Sequence, residues 1–321
     1  MTGKISIDCS VPNLRKIWLN FHKGKRKSRA IDYFAYYLER ELEKLSLDLT
    51  SKTYKHGNYY SFMVFDNKKR KIEVAAIRDR IVHRLIYEYL VEIFDKSFIY
   101  DAWSCRKNKG LIQAIKRCQY FADRHRKYFF WKADVVKFFQ SVDQDNLIKY
   151  IERKVKERDT IELIKEVVYC YTGTQKGKGM PIGNLTSQIF ANIYMNELDF
   201  FMQHKIKHLG YMRYGDDFLV FGKNREELEA ICEKVTDFVT NTLKLTLHGK
   251  IEEIFRVKSG IKFLGVQVFP GQRFVSKRNK KRIFKRMDLT NNASYFGMIK
   301  HHQPKLKMNL AWKLLEGLPY D

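Results

Sequence analysis

The stretch that most limits what this chain can fold into is residues 211–221. Two aromatic, apolar runs, Tyr211-Met212-Arg213-Tyr214 and Phe218-Leu219-Val220-Phe221, flank Gly215-Asp216-Asp217. Such runs are strand material that must be buried, and a glycine between them permits a tight reversal. The expected product is a buried hairpin with two adjacent carboxylates at its tip. Like charges a few ångströms apart repel unless a cation lies between them. Consecutive strand residues point to opposite faces, but a tight turn lets both acids reach one side. An Asp-Asp pair in a polar loop is merely a solvated turn; strand-forming flanks argue for something else here.

A third acid would complete such a site. Asp134 fits, because it ends the apolar stretch Phe129-Phe130-Trp131-Lys132-Ala133, which reads as a buried strand. Three carboxylates can hold two Mg²⁺ ions, or Mn²⁺ in their place, roughly 4 Å apart. A pair of that kind activates a hydroxyl nucleophile and stabilises a leaving pyrophosphate.

Charge points to the substrate class. Lys and Arg number 61 against 36 Asp and Glu, a formal net charge of +25. That excess repels itself in a compact state unless a polyanion neutralises it, and nucleic acid is the leading candidate. Hydrophobic residues make up 45% of the chain, so it folds. No apolar run approaches the roughly 18 residues of a membrane span, and residues 1–10 carry no signal-peptide pattern. Cys9, Cys105, Cys118, Cys170 and Cys232 are scattered without a Cys-x-x-Cys pair. They read as reduced, buried thiols of a cytoplasmic protein. His204 and His208 have helical spacing but no nearby third ligand, so they read as a solvated helix face rather than a zinc site.

The pattern along the chain predicts helices over 31–49, 80–94, 110–121, 145–170, 185–207 and 225–243. It predicts a hairpin over 59–75 with its turn at Asp66-Asn67-Lys68, a strand over 128–134, and a strand or hairpin arm over 261–269. Residues 172–183 hold four glycines and form a loop. Between Gly271 and Pro304 stand nine Lys or Arg, with Lys305 next, against the single acid Asp288. This marks a basic helical tail that meets phosphates. The fold class expected is α+β, with an antiparallel sheet carrying the acids.

At this point the sequence resembles the reverse transcriptase family. Lys132-Ala133-Asp134-Val135-Val136-Lys137-Phe138-Phe139 is similar to the family motif in which a metal-binding acid is followed five residues later by an aromatic. The resemblance implies that Asp134 and the Val135 carbonyl bind metal and that Phe139 excludes a 2′-hydroxyl by overlap. Gly179-Met180-Pro181-Ile182-Gly183-Asn184-Leu185-Thr186-Ser187-Gln188 resembles the loop that cradles the incoming nucleotide, with Ile182, Gly183 and Gln188 at the contact positions. Most members carry Gln at the position of Ile182 and Pro at that of Gln188. An aliphatic residue there and a Ser-Gln ending resemble the reverse transcriptases of diversity-generating retroelements, within the group II intron-like lineage of bacteria and phages. Loss of a hydrogen-bonding amide implies a weaker polar check on the nascent pair, hence low fidelity opposite template adenines. Gly215 departs from that subgroup, which commonly has a bulkier residue there; a glycine at that place is usual in RNA-directed RNA polymerases.

Other stretches agree. Lys69-Arg70-Lys71-Ile72 and the segment Ala76-Ile77-Arg78-Asp79-Arg80-Ile81-Val82-His83 resemble the family's fingers, which implies triphosphate contacts at Arg70 and Arg78. Lys250, in Leu247-His248-Gly249-Lys250, falls where the family places a proton donor to pyrophosphate. Phe263-Leu264-Gly265 resembles the primer grip. The resemblance implies a right-hand polymerase: fingers over 1–125, palm over 126–270 with a fingers return at about 145–185, and a short basic thumb over 271–321. It implies an RNA-directed DNA polymerase acting with an RNA template, a DNA or RNA primer, deoxynucleoside triphosphates and a small basic accessory protein, away from any membrane. The alternatives are a reverse transcriptase of another bacterial retroelement or defence system, an RNA-directed RNA polymerase, and a catalytically idle RNA-binding protein.

Overall fold

Burial of apolar stripes explains most of the architecture. The computed structural model describes residues 6–26, 28–65, 69–248, 251–288 and 291–316. It is a mixed helix-and-sheet protein whose paired strands run antiparallel, in line with the α+β expectation. The chain divides into two compact units: one gathers residues up to Tyr100, Val135–Lys205 and Thr236–Leu247, and the other Asp101–Asp134, Ile206–Val235 and the chain from His248 onward.

The first unit is mainly helical. Val11–His22 buries Leu14, Ile17, Trp18 and Phe21. The expected helix over 31–49 is two helices, Arg29–Tyr36 and Leu38–Thr50, interrupted at Tyr37 (φ −101°, ψ 24°). Continuous apolar periodicity hides such a break, because both halves keep the same buried stripe. Ile77–Phe94 and the 21-residue Leu185–Lys205 are buried over much of their length, with Ile81, Leu90, Tyr194 and Leu198 fully enclosed. The hairpin Tyr60–Phe65 with Lys69–Val74 pairs as expected, from Tyr60↔Val74 to Phe65↔Lys69; its turn lies outside the described residues. The first strand is exposed throughout.

The second unit is built on a sheet. The central strand Phe129–Val135 pairs on one side with Asp217–Gly222, which pairs in turn with Gly210–Tyr214, and on the other side with Ile254–Arg256. Phe130, Met212, Leu219 and Phe221 pack with Ile115, Cys118 and Phe121 of the helix Leu111–Arg124. A second, three-stranded sheet joins Ile261–Phe263, Val266–Phe269 and Gln272–Val275. Past it, the basic segment forms Lys277–Arg286, Asn292–Lys300 and Pro304–Glu316 around a small core of Val275, Ile283, Ile299, Leu306 and Leu310.

None of the five cysteines is in a disulfide, but only Cys118 and Cys232 are buried; Cys9 and Cys170 are half-buried and Cys105 is exposed. The expectation of five buried thiols is corrected on that point. No helix among the described residues is long and apolar enough to cross a membrane.

Candidate active site

The three acids converge in the second unit because of strand register. Along Phe129–Val135, Phe130, Ala133 and Val135 are buried, while Lys132 and Asp134, two residues apart, share the less buried face. Its ladder with the neighbouring strand runs Lys132↔Leu219 and Ala133↔Phe218. One further step sets Asp134 opposite Asp217. Lys132 is the diagonal neighbour of Asp217, within reach of a long side chain, and its Nζ lies 3.4 Å from Asp217 Oδ2.

The hairpin tip is a two-residue turn, since Tyr214 pairs directly with Asp217. Gly215 has φ +68° and is the turn's one residue of positive φ, the type II′ pattern that needs glycine first. A Cβ at Gly215 would meet nothing closer than Ser104 Oγ at 3.9 Å, so backbone conformation and not space demands the glycine. Arg213, 1% exposed, donates from its guanidinium to the Gly215 carbonyl at 2.9 Å. Its backbone is stitched to the preceding segment by Arg213 N to Asp101 O and Trp103 N to Arg213 O, both 2.9 Å. Asp101 is held by a two-pronged bond from Arg117, 2.8 Å on each arm.

This framework fixes the electrostatics. The Asp217 side chain is 21% exposed, yet its Oδ1 is sealed and accepts no hydrogen bond. Burial pushes the Asp217 carboxyl up to about 7, the charges of Asp134 and Asp216 push the same way, and Lys132 opposes them. Among the described residues no three His, Cys, Asp or Glu side chains form a ready-made metal cage. The acids offer instead an all-oxygen donor set with one orphaned oxygen, which suits a hard divalent cation. The fit lies in the chemistry of the donors. Val135, expected to lend its carbonyl, is buried at the end of the central strand. Lys250 lies outside the described residues.

Phe263-Leu264-Gly265 belongs to this same unit. Phe263 pairs with Val266 across a turn in which Leu264 (φ +48°) and Gly265 (φ +81°) are both left-handed. Leucine at positive φ is uncommon and strained. The Gly265 carbonyl accepts from Ser276 N and Asn279 Nδ2, both at 3.0 Å, which holds the turn.

The glycine-rich loop is built within the first unit. Gly179 N donates to Val142 O and Met180 N to Phe139 O, each at 2.7 Å. Gln144 Nε2 reaches the Val168, Tyr171 and Gly179 carbonyls. Phe139 is half-buried, edge-on to the buried Phe138 at 5.5 Å. Gly183, at φ +117°, lies so close to the strand Lys69–Val74 that a Cβ would stand 2.8 Å from Ile72. Glu73 N bonds to Ile182 O at 2.9 Å, and Asn184 Nδ2 to Glu73 O at 2.8 Å. Ile182 is half-buried, Gln188 and Arg70 exposed. Arg78 is held by Asp48 at 2.5 Å and lies over the Tyr54 ring. Sequence reasoning singled out neither Glu73, Lys132, Asp101 nor Arg213 for these sites. For Lys132 and Arg213 the signal is a charge inside an apolar strand; Glu73, in a basic strand, and Asp101, in a turn, become meaningful only once their nonlocal partners are known.

Residues 55–268 match the family described as reverse transcriptase (RNA-dependent DNA polymerase). The chain is similar to Protein YkfC of Escherichia coli (strain K12), 22% identical over 255 residues, covering 67% of this chain and 65% of that protein. It is similar to the Putative COX1/OXI3 intron 2 protein of Saccharomyces cerevisiae, 24% identical over 179 residues, 52% of this chain and 20% of the other. It is also similar to the Group II intron-encoded protein LtrA of Lactococcus lactis subsp. cremoris, 21% identical over 304 residues, 71% and 50% of the two chains. The chain thus spans less than two thirds of the length of each of these relatives.

Proposed function

The chain belongs to the reverse transcriptase family, and we propose that it is an RNA-directed DNA polymerase whose chemistry takes place at Asp134, Asp216 and Asp217. The observation that carries this reading is the sealed, unpartnered Oδ1 of Asp217, at a hairpin tip beside two further carboxylates. An idle binding protein has no use for an arrangement that costs stability until a cation arrives. Two Mg²⁺ ions, or Mn²⁺, held by these acids and the Val135 carbonyl would polarise the phosphoryl oxygens and the attacking hydroxyl. The chain's own residues do the rest. Arg213 fixes the turn so that Asp216 and Asp217 keep their relative placement. Lys132 supplies the countercharge to Asp217. Phe139 presents a rigid ring that rejects a 2′-hydroxyl, Ile182 and Gly183 bring backbone against the nascent pair, and Gln188, Arg70 and Arg78 complete the nucleotide contacts. Phe263-Leu264-Gly265 steadies the primer end, and Lys250 gives a proton to the leaving pyrophosphate.

On this reading the right-hand division applies: fingers over 1–125, palm over 126–270 with the return at about 145–185, thumb over 271–321. The template is RNA and the primer DNA or RNA. Two of the relatives carry introns in their names, which supports an intron-type lineage. The narrower reading, a diversity-generating retroelement enzyme with a small basic accessory protein, rests on Ile182 and Ser187-Gln188. Gly215, usual at that place in RNA-directed RNA polymerases, also suits the positive φ of its turn. The test is extension of a primer on an RNA template with competing ribo- and deoxyribonucleotides. Deoxynucleotides should be incorporated, and Phe139→Ala should admit ribonucleotides. Preferential incorporation of ribonucleotides by the unaltered chain would contradict the proposal.

A further inference from the structure

Within the first unit, a cavity of about 200 Å³ is lined by Lys25, Arg80 and Arg84 together with Gly183, Asn184 and Leu185. Arg84 is paired through Nε with Glu88 at 2.8 Å, leaving other donors of its guanidinium for a ligand. Lys25 and Arg80 have no carboxylate partner among the described residues. Each rests against the same Phe21 ring, Lys25 Nζ at 5.2 Å and Arg80 Cζ at 4.9 Å from its centre. Burial and the charges of Arg80 and Arg84 push the Lys25 ammonium below its ordinary range, and burial does the same to Arg80. Three cations held at one cavity in mutual repulsion are tolerable when an anion joins them. The remaining wall supports the same sign, because it is the start of the 21-residue helix Leu185–Lys205, whose first N–H groups lack intrahelical acceptors. His83, a buried lining residue on the helix of Arg80 and Arg84, is pushed down to about 3 and adds no positive charge of its own.

We propose that this cavity binds a backbone phosphate of a nucleic-acid strand through Lys25, Arg80 and Arg84. Size selects the ligand. Pockets that enclose a whole small-molecule ligand run to roughly 300–1,000 Å³; this one admits a phosphate group but not an entire nucleoside triphosphate. Charge selects the source, since a chain of net charge +25 is matched by a polyanion rather than by free phosphate. The inference rests on the nucleic-acid part of the proposed function but not on its catalytic part, because binding is measured without turnover.

The experiment is equilibrium binding of a labelled oligouridylate RNA to the full chain over a range of salt concentrations. Lys25→Gln, Arg80→Gln and the double variant are compared with Lys16→Gln, which removes the same charge from an exposed position on Val11–His22. Each released phosphate contact lowers the slope of log K against log salt by about 0.7 for a single strand. Lys25→Gln and Arg80→Gln should each flatten the slope by about that amount, the double variant by about twice as much, and Arg80→Lys should keep most of it. Slopes no flatter than that of Lys16→Gln would overturn the proposal. An unchanged RNA slope with a raised KM for deoxynucleotides would place the phosphate on the nucleotide and overturn it equally. If Arg80→Gln fails to fold, Lys25→Gln and Arg80→Lys decide. Loss of extension with normal RNA binding would count against the polymerase reading alone.

Discussion

At the scale of single residues, the cost of crowding carboxylates falls on Asp217, whose buried Oδ1 has no hydrogen-bond partner. Burial and its acidic neighbours raise its carboxyl to about 7. A carboxyl raised on folding takes up protons as the chain folds, so its contribution to stability is full at low pH. It declines as pH rises from about 4 to about 7 and stays low above that. Asp217→Asn should therefore raise the thermal midpoint of the ion-free protein at about pH 8 by a few degrees, with no gain at about pH 4. Equal midpoints at both values would show that the carboxylate is not under strain. Gly183 makes the opposite point, because its backbone is the constraint. With φ +117° and Ile72 where a Cβ would go, Gly183→Ala should cost more than about 1 kcal/mol in urea unfolding and raise KM for deoxynucleotides.

At the scale of elements, the glycine-rich loop is held by contacts from far along the chain. His83 of the helix Ile77–Phe94 is 1% exposed and bonds through Nδ1 to Thr186 Oγ at 2.6 Å and through Nε2 to His56 at 3.0 Å. Burial, followed by the charges of His56 and Arg80, pushes it down to about 3. The unfolded chain takes a proton near the ordinary value of 6.5 and the folded chain does not, so stability falls as pH drops from about 6.5 toward 3. His83→Gln should flatten that dependence of the urea midpoint; an unchanged slope would assign the acid sensitivity elsewhere. Elements with a strong period were legible beforehand: the hairpin Tyr60–Phe65/Lys69–Val74, the strand under Asp134, the helix Leu185–Lys205. The interruption at Tyr37 was not, since the buried stripe runs through it. The strand Gln272–Val275 was hidden inside a basic stretch. Arg213 stood in the sequence only as one member of a strand-forming run, and its role appears in its backbone bonds to Asp101 and Trp103.

At the scale of the whole molecule, the charge excess and the ordered set of acids were plain from composition and spacing, because both are properties of the chain alone. The division into two compact units was not, since each unit draws on separated segments. Fidelity belongs to this scale too, as a property of the copied product. Ile182→Gln should lower misincorporation opposite template adenines when that product is sequenced, and an unchanged error rate would remove the argument for a diversity-generating role. The measurement that bears most directly on the central claim is extension of a primer on an RNA template with Mg²⁺ and deoxynucleotides, comparing the chain with its Asp216→Asn and Asp217→Asn variants while primer–template binding is followed in parallel. The account predicts extension by the unaltered chain and a loss of at least about a hundredfold in each variant, with binding retained. Extension that persists in both variants would contradict it.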